Sequence, residues 1–260
     1  MTILDNFATM TTESTAAALL EPPVPATEIH EKQVRNMVRT MQMWSADFHR
    51  TPGEEWANFG THLAGLVFGI FALTYMCVEA GRLGDARKIV GCALYGVSLI
   101  VLYNSSMLYH LASTWRVKGA FQIMDHISIY LLIAGSYTPF CLVTLKDTHI
   151  GYWVLCTNWA LAVIGILTEA LIRPRKEWLA VTVTLLMGWE ILLCIKPLYD
   201  RIGSLAWVML LIGGGTYTIG VVFYVMDRVP YMHTVWHVFV LAASICHWVG
   251  IMFGVMLYGV

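Results

Sequence analysis

The stretch IVGCALYGVSLIVLYNSSMLYH, Ile89–His110, decides the fold. It runs 22 residues without a charged side chain, and Ser106 and His110 close it. About 20 apolar residues in a row are needed for a helix to cross a bilayer. Backbone N–H and C=O groups have no water to bond to in lipid, so such a stretch must be helical.

Six further stretches of the same kind flank it. The expected spans are Trp56–Val78, Ile89–His110, Asp125–Leu145, Gly151–Ile172, Leu179–Ile195, Leu205–Val225 and Val235–Tyr258. The fold class that follows is an all-α membrane protein, a seven-transmembrane helix bundle occupying residues 51–260. Composition agrees: 58% of the 260 residues are hydrophobic and 13% charged, with a mean hydropathy of +0.65. Soluble domains carry roughly 45–50% apolar and about 25% charged residues. The expected partners are therefore membrane lipids, in a multi-pass protein of the cell (plasma) membrane. Net charge is −1 with no basic block, which speaks against nucleic acid. The six cysteines show no CxxC spacing, so neither a disulfide framework nor a thiolate zinc site is indicated.

Residues 1–28 contain an Ala-Pro-rich run and lack the basic start and apolar core of a signal peptide, so they read as a disordered tail. In residues 29–50, Ile29, Val34, Val38, Met41 and Trp44 recur at nearly helical spacing between Lys32, Arg35 and Arg39. That segment has two readings, a helix lying on an anionic leaflet or an amphipathic helix covering the bundle. Lys and Arg number ten on the N-terminal side of the weave and six on the other. The positive-inside rule then puts the N-terminus in the cytoplasm and the C-terminus outside.

Seven crossings bring the polar residues at span ends to one face. Glu55, Asn58 and His62 open the first span, Ser106 and His110 close the second, Asp125 opens the third, and His233 and His237 open the seventh. Residues four apart share a helix face, so His233 and His237 can hold one ion together. Three imidazoles plus water is the pattern of a catalytic zinc, which makes His110, His233 and His237 the candidate ligands of a Zn2+ ion. Asp125 is placed to hold or deprotonate the water that zinc activates. Ser106 is placed to hydrogen-bond that water or a developing oxyanion. Glu55, Asn58, His62 and His126 surround the ligands. Bis-histidine haem fits less well, because two of the three histidines come from a single helical turn. His247 lies off the face of the pair and reads as a packed residue, while His30, His49 and His149 read as solvent or interface residues. Glu169 is expected to snorkel toward Arg173, and no partner is evident for Glu190.

These residues resemble the hemolysin III proteins, within the broader progestin and adipoQ receptor family. The likeness runs through Glu55-x-x-Asn58-x-x-x-His62, Ser106-x-x-x-His110, Asp125-His126, the stretch Ile129–Pro139, Gly188-Trp189, Lys196-Pro197, Tyr217-Thr218-x-Gly220, and His233-x-x-Trp236-His237 with His247. It implies a seven-helix bundle with a cytoplasmic N-terminus. It also implies zinc near the cytoplasmic face on His110, His233 and His237, with Asp125 acting through water. Adiponectin-receptor-like members follow the first zinc histidine with a threonine and then a Cys-His pair. Here Leu111 and Thr114-Trp115 stand at those positions, which favours the hemolysin III branch. The resemblance to membrane ceramidases in the wider superfamily implies a zinc-dependent hydrolase of a lipid amide or ester bond. The alternative is a non-enzymatic protein with structural zinc, either a lipid-sensing, membrane-homeostasis protein or a hemolysin-like, pore-forming cytolysin.

Overall fold

The computed structural model describes residues 28, 30–32, 34, 35, 50–172 and 175–258. The chain divides into two units, Met1–Asp47 and Phe48–Val260. In the first, the described residues are helical and exposed, with an Arg35–Glu31 ion pair of 3.1 Å one turn apart. The expected tail over 1–28 and most of the expected amphipathic segment over 29–50 lie outside the described residues.

In the second unit the described residues form helices and no strand. These are α1 (Pro52–Leu83), α2 (Ala86–Leu111), α3 (Trp115–Pro139), α4 (His149–Leu171), α5 (Glu177–Trp189), α6 (Ile195–Val225) and α7 (Met232–Ile251). Helix starts follow their local chemistry. Thr51 Oγ1 accepts from Glu54 N while Glu54 Oε2 accepts from Thr51 N, a reciprocal cap with Pro52 in the first turn. Asp85 caps α2 and Thr148 caps α4 in the same way through a side-chain oxygen. Between α1 and α2 the chain turns at Gly84, whose φ of 67° suits a residue without Cβ.

Among the described residues, six stretches are long and apolar enough to cross a membrane. Their outer faces are large and apolar: Val67, Ile70, Phe71 and Val78 on α1 are exposed, whereas Gly65, Gly69, Ala72 and Ala80 are buried. Small residues inside and large ones outside is the arrangement expected where lipid is the solvent. Exposed Trp56, Trp153 and Trp178 stand near helix starts, as interfacial anchors do. The multi-pass helical architecture expected from the apolar stretches is thereby realised.

Several boundaries differ from expectation. Helix α3 begins at Trp115, ten residues before the predicted span, because Lys118 is drawn into the fold by the Tyr109 carbonyl at 3.2 Å and Glu55 at 2.9 Å. Residues 196–204, expected as a loop, are helical up to Gly203, supported by Lys196–Asp200 at 3.0 Å and by Arg201 Nη1 donating to the Pro197 carbonyl. The helical segment Glu177–Val225 thus spans 49 residues. A straight rod of that length would measure about 74 Å at 1.5 Å per residue. The segment is not straight: a 3-10 turn occupies Glu190–Cys194, and Gly203 has φ 74°, ψ 162°.

One end of the bundle is knitted together by polar contacts between α1, α2, α3 and α7. Glu54 Oε1 accepts from Tyr231 N at 2.9 Å, which fixes the start of α7 against the start of α1. Tyr231 itself is left-handed, at φ 63°. At the other end, buried Lys88 on α2 donates to the Met256 and Tyr258 carbonyls, both at 2.9 Å, and so closes the chain past α7.

Candidate metal centre

At the knitted end, His110 arrives from the last turn of α2, and His233 and His237 from successive turns of α7. Their ligand atoms all lie within 4.8 Å of one another and all three residues are buried. Ring centroids are 5.3 Å (His110–His233), 5.0 Å (His110–His237) and 4.5 Å (His233–His237) apart.

The surroundings point each ring the same way. His110 Nδ1 donates to Glu55 Oε2 at 2.7 Å, since a carboxylate can only accept. Thr61 gives its one hydroxyl proton to the Asn58 carbonyl, so its oxygen accepts from His237 Nδ1 at 3.2 Å. His233 Nδ1 lies 3.0 Å from Asp227 Oδ1, in contact but off line for a hydrogen bond. All three Nδ1 atoms thus face oxygens, which leaves each Nε2 as the ligating nitrogen. Nε2 of His110 and of His233 are buried with no partner. A metal-binding imidazole ordinarily has this outer oxygen on its other nitrogen, so the residues fit a zinc ion.

Asp227 anchors this shell to the chain before α1. Burial works against its charge, yet the His233 imidazole and the Arg50 guanidinium hold its carboxyl well below the usual range. Arg50 donates to Asp227 at 2.5 Å and to the Tyr109 hydroxyl at 3.1 Å. Glu55 meanwhile uses its second oxygen for Lys118, at 2.9 Å.

The other expected residues fall at varying distance. Asn58, fully buried, sits 3.5 Å from His110 Nδ1 and accepts from Thr234 at 2.5 Å. The His62 ring lies tilted against His237, centroids 3.7 Å apart, and among the described residues neither of its nitrogens has a hydrogen-bond partner. Asp125 is buried next to Ser106, whose Oγ has no hydrogen-bond partner, but Asp125 does not join the three-histidine group. His126 turns away from the cluster and bonds Glu169 at 2.8 Å. Glu169, expected to snorkel toward Arg173, is buried and paired with His126 and with Arg175 Nε at 2.7 Å, while Arg173 lies outside the described residues. His247 is packed against Tyr217 as expected of a residue off the ligand face. Thr61, Asp227, Arg50 and Lys118 were not singled out in the sequence. Thr61 had a signal, being next to His62 and three residues from Asn58, whereas Arg50 and Asp227 are 177 residues apart and carry no local one.

The fold and its lipid-facing exterior define a multi-pass integral membrane protein. A family model described as "Haemolysin-III related" matches residues 51–248. The chain is similar to "Hemolysin-3 homolog" of Bacillus subtilis (strain 168) and "Hemolysin-3" of Bacillus cereus, each 39% identical over 191 residues. Those matches cover 74% of this chain and 89% and 87% of the two relatives. It is 28% identical over 179 residues to "Monocyte to macrophage differentiation factor" of Homo sapiens, covering 64% of this chain and 71% of that one. The chain belongs to the haemolysin-III-related family.

Proposed function

We propose that this protein is a zinc-dependent hydrolase of a lipid amide or ester bond, with Zn2+ on His110, His233 and His237 near the cytoplasmic face of the plasma membrane. In this reading the chain crosses seven times, the segment Glu177–Val225 dividing at Gly203 within α6, with the N-terminus in the cytoplasm. The observation that carries it is the convergence of three buried imidazoles whose Nδ1 atoms all face oxygens.

Zinc in such a site supplies Lewis acidity and a water activated near neutral pH. The protein's own groups do the rest. Asp125 takes the proton at a carboxylate oxygen, and Ser106 Oγ, buried and unpaired, donates to the oxygen on which charge develops. Glu55, Thr61 and Asp227 keep the three rings turned toward the ion. An apolar cavity of about 100 Å³ starts at Trp236 and Val240, which flank His237, and reaches Trp189 and His247. Whole drug-sized ligands need roughly 300–1,000 Å³, so the cavity suits one segment of an acyl chain, the rest staying in the bilayer.

The test is turnover of lipid amides and esters by purified wild type beside His233→Ala, with metal content measured on both. Turnover and about one zinc per chain, both lost in the variant, support the reading. Zinc without turnover on any lipid substrate overturns the hydrolase and leaves a structural metal in a lipid-sensing protein. The name of the relatives carries a further reading, lysis, which is supported instead if dye leaks from liposomes equally with wild type and His233→Ala.

A further inference from the structure

A second polar cluster lies midway along the apolar helices, away from the histidines, with Asn158 buried, Glu190 half-buried and Thr157 exposed. Glu190 opens the 3-10 turn, about 20 Å along the helix from Glu177 at 1.5 Å per residue, within an apolar core of about 30 Å. Among the described residues no lysine, arginine or histidine pairs with it. Its Oε1 takes the Thr157 hydroxyl, and its Oε2 takes Asn158 Nδ2 at 2.7 Å. An ionisable residue at such depth is a functional group by default, because a charge within the bilayer is costly.

Asn158 supplies an independent sign. It is fully buried on α4, and Nδ2 also donates to the Met187 carbonyl at 3.1 Å. Both neighbours only accept, so they settle which way the amide points, and Oδ1 is left buried without a partner. At the helix break the Met187 carbonyl accepts from Glu190 N as well as from Asn158 Nδ2. In a continuous helix Ile191 N would bond Met187 O; here it bonds the Tyr137 hydroxyl at 2.9 Å, and that hydroxyl donates to Gly188 O at 2.7 Å. A half-turn of the Asn158 amide brings Oδ1 to the point that Nδ2 now marks. Oxygens of Glu190, Met187, Asn158 and Thr157 would then face a common centre.

Oxygen donors with a single carboxylate suit a cation of one charge, whereas dedicated divalent sites gather more carboxylates or waters. Unwound backbone carbonyls in a broken membrane helix are known to coordinate such ions. We propose that Glu190, Asn158, Thr157 and the Met187 carbonyl form an intramembrane site for a monovalent metal cation. This site is independent of the zinc reading.

Thermal melting of the full chain in detergent tests it, in choline chloride exchanged stepwise for sodium, lithium or potassium chloride at constant ionic strength. A specific ligand raises Tm with the logarithm of its concentration. The expected result is a rise of about 2–4 °C or more for a chain this long with at least one of the three cations. Glu190→Gln and Thr157→Val should abolish that rise. Identical melting in choline and all three cations overturns the site on wild type alone, whether or not the variants fold. A rise that persists in both variants also overturns it. Carbodiimide labelling at Glu190 that none of the cations slows, with flat melting, assigns the carboxyl to proton binding instead and likewise overturns the cation site.

Discussion

Glu55 Oε2 lies 2.7 Å from Nδ1 of His110, a contact made across two helices between residues 55 positions apart. The same carboxylate holds Lys118 at 2.9 Å, so its orientation is fixed from both oxygens. An imidazole held this way presents Nε2 as a lone pair in one direction. Glu55→Ala is expected to weaken zinc binding about 10–100-fold, the usual cost of losing an outer-shell partner. Competition with a calibrated chelator measures this, and unchanged affinity would show that Glu55 does not orient the ligand.

Gly65 sits where α1 meets the ring of Tyr103: a Cβ there would lie 2.3 Å from Cδ1 and Cε1. Tyr103 is fully buried and its hydroxyl is committed to Ser244 Oγ at 2.9 Å, so the ring has nowhere to go. Gly65→Ala should destabilise by about 1–3 kcal/mol, as overpacking does. Gly60→Ala, on the same helix with nothing within 4 Å, should be neutral or stabilising by up to about 1 kcal/mol. Denaturation of the two variants side by side decides the point.

The bundle was legible because lipid demands long uncharged helices, and Ile89–His110 shows that pattern directly. The histidine trio was legible because His233 and His237 share a face and His110 closes a neighbouring span. Its supporting shell was not. Asp227 and Arg50 are loop charges in the sequence, and nothing local says that they meet at 2.5 Å behind His233. The break at Glu190 was hidden for a related reason: the hydroxyl that bridges it comes from Tyr137 on another helix.

Glu169 offers a test of a buried ion pair. It is buried between His126 at 2.8 Å and Arg175 at 2.7 Å, while Arg175 also bonds the Tyr224 hydroxyl. Burial opposes charge on Arg175, but Tyr224, Glu177 and Glu169 keep its guanidinium protonated. Glu169→Ala removes one of two carboxylate partners, Glu177 remaining at 2.5 Å, and should destabilise by about 1–3 kcal/mol. Glu169→Met with Arg175→Met should recover part of the loss, since the buried charges go together while exposed Glu177 keeps the Tyr224 hydroxyl. Failure of the double variant to improve on the single one would mean that packing, not charge, dominates there.

Tyr137 tests how the broken helix is held. Its hydroxyl accepts from Ile191 N at 2.9 Å and donates to Gly188 O at 2.7 Å, and so replaces a missing helical bond with two. Tyr137→Phe keeps the ring and its packing but leaves one backbone donor and one acceptor facing an apolar interior. Each unpaired buried group costs about 1–3 kcal/mol, although the chain can relax by closing the α-helical bond from Ile191 N to Met187 O. That relaxation would compete directly with Asn158 Nδ2 for the Met187 carbonyl. The expected outcome is a loss of about 1–3 kcal/mol from Tyr137→Phe in the wild type, and a smaller loss from the same change in an Asn158→Leu background, because that competitor is then gone. Equal losses in the two backgrounds would show that the two contacts act independently and that the break persists without its bridge.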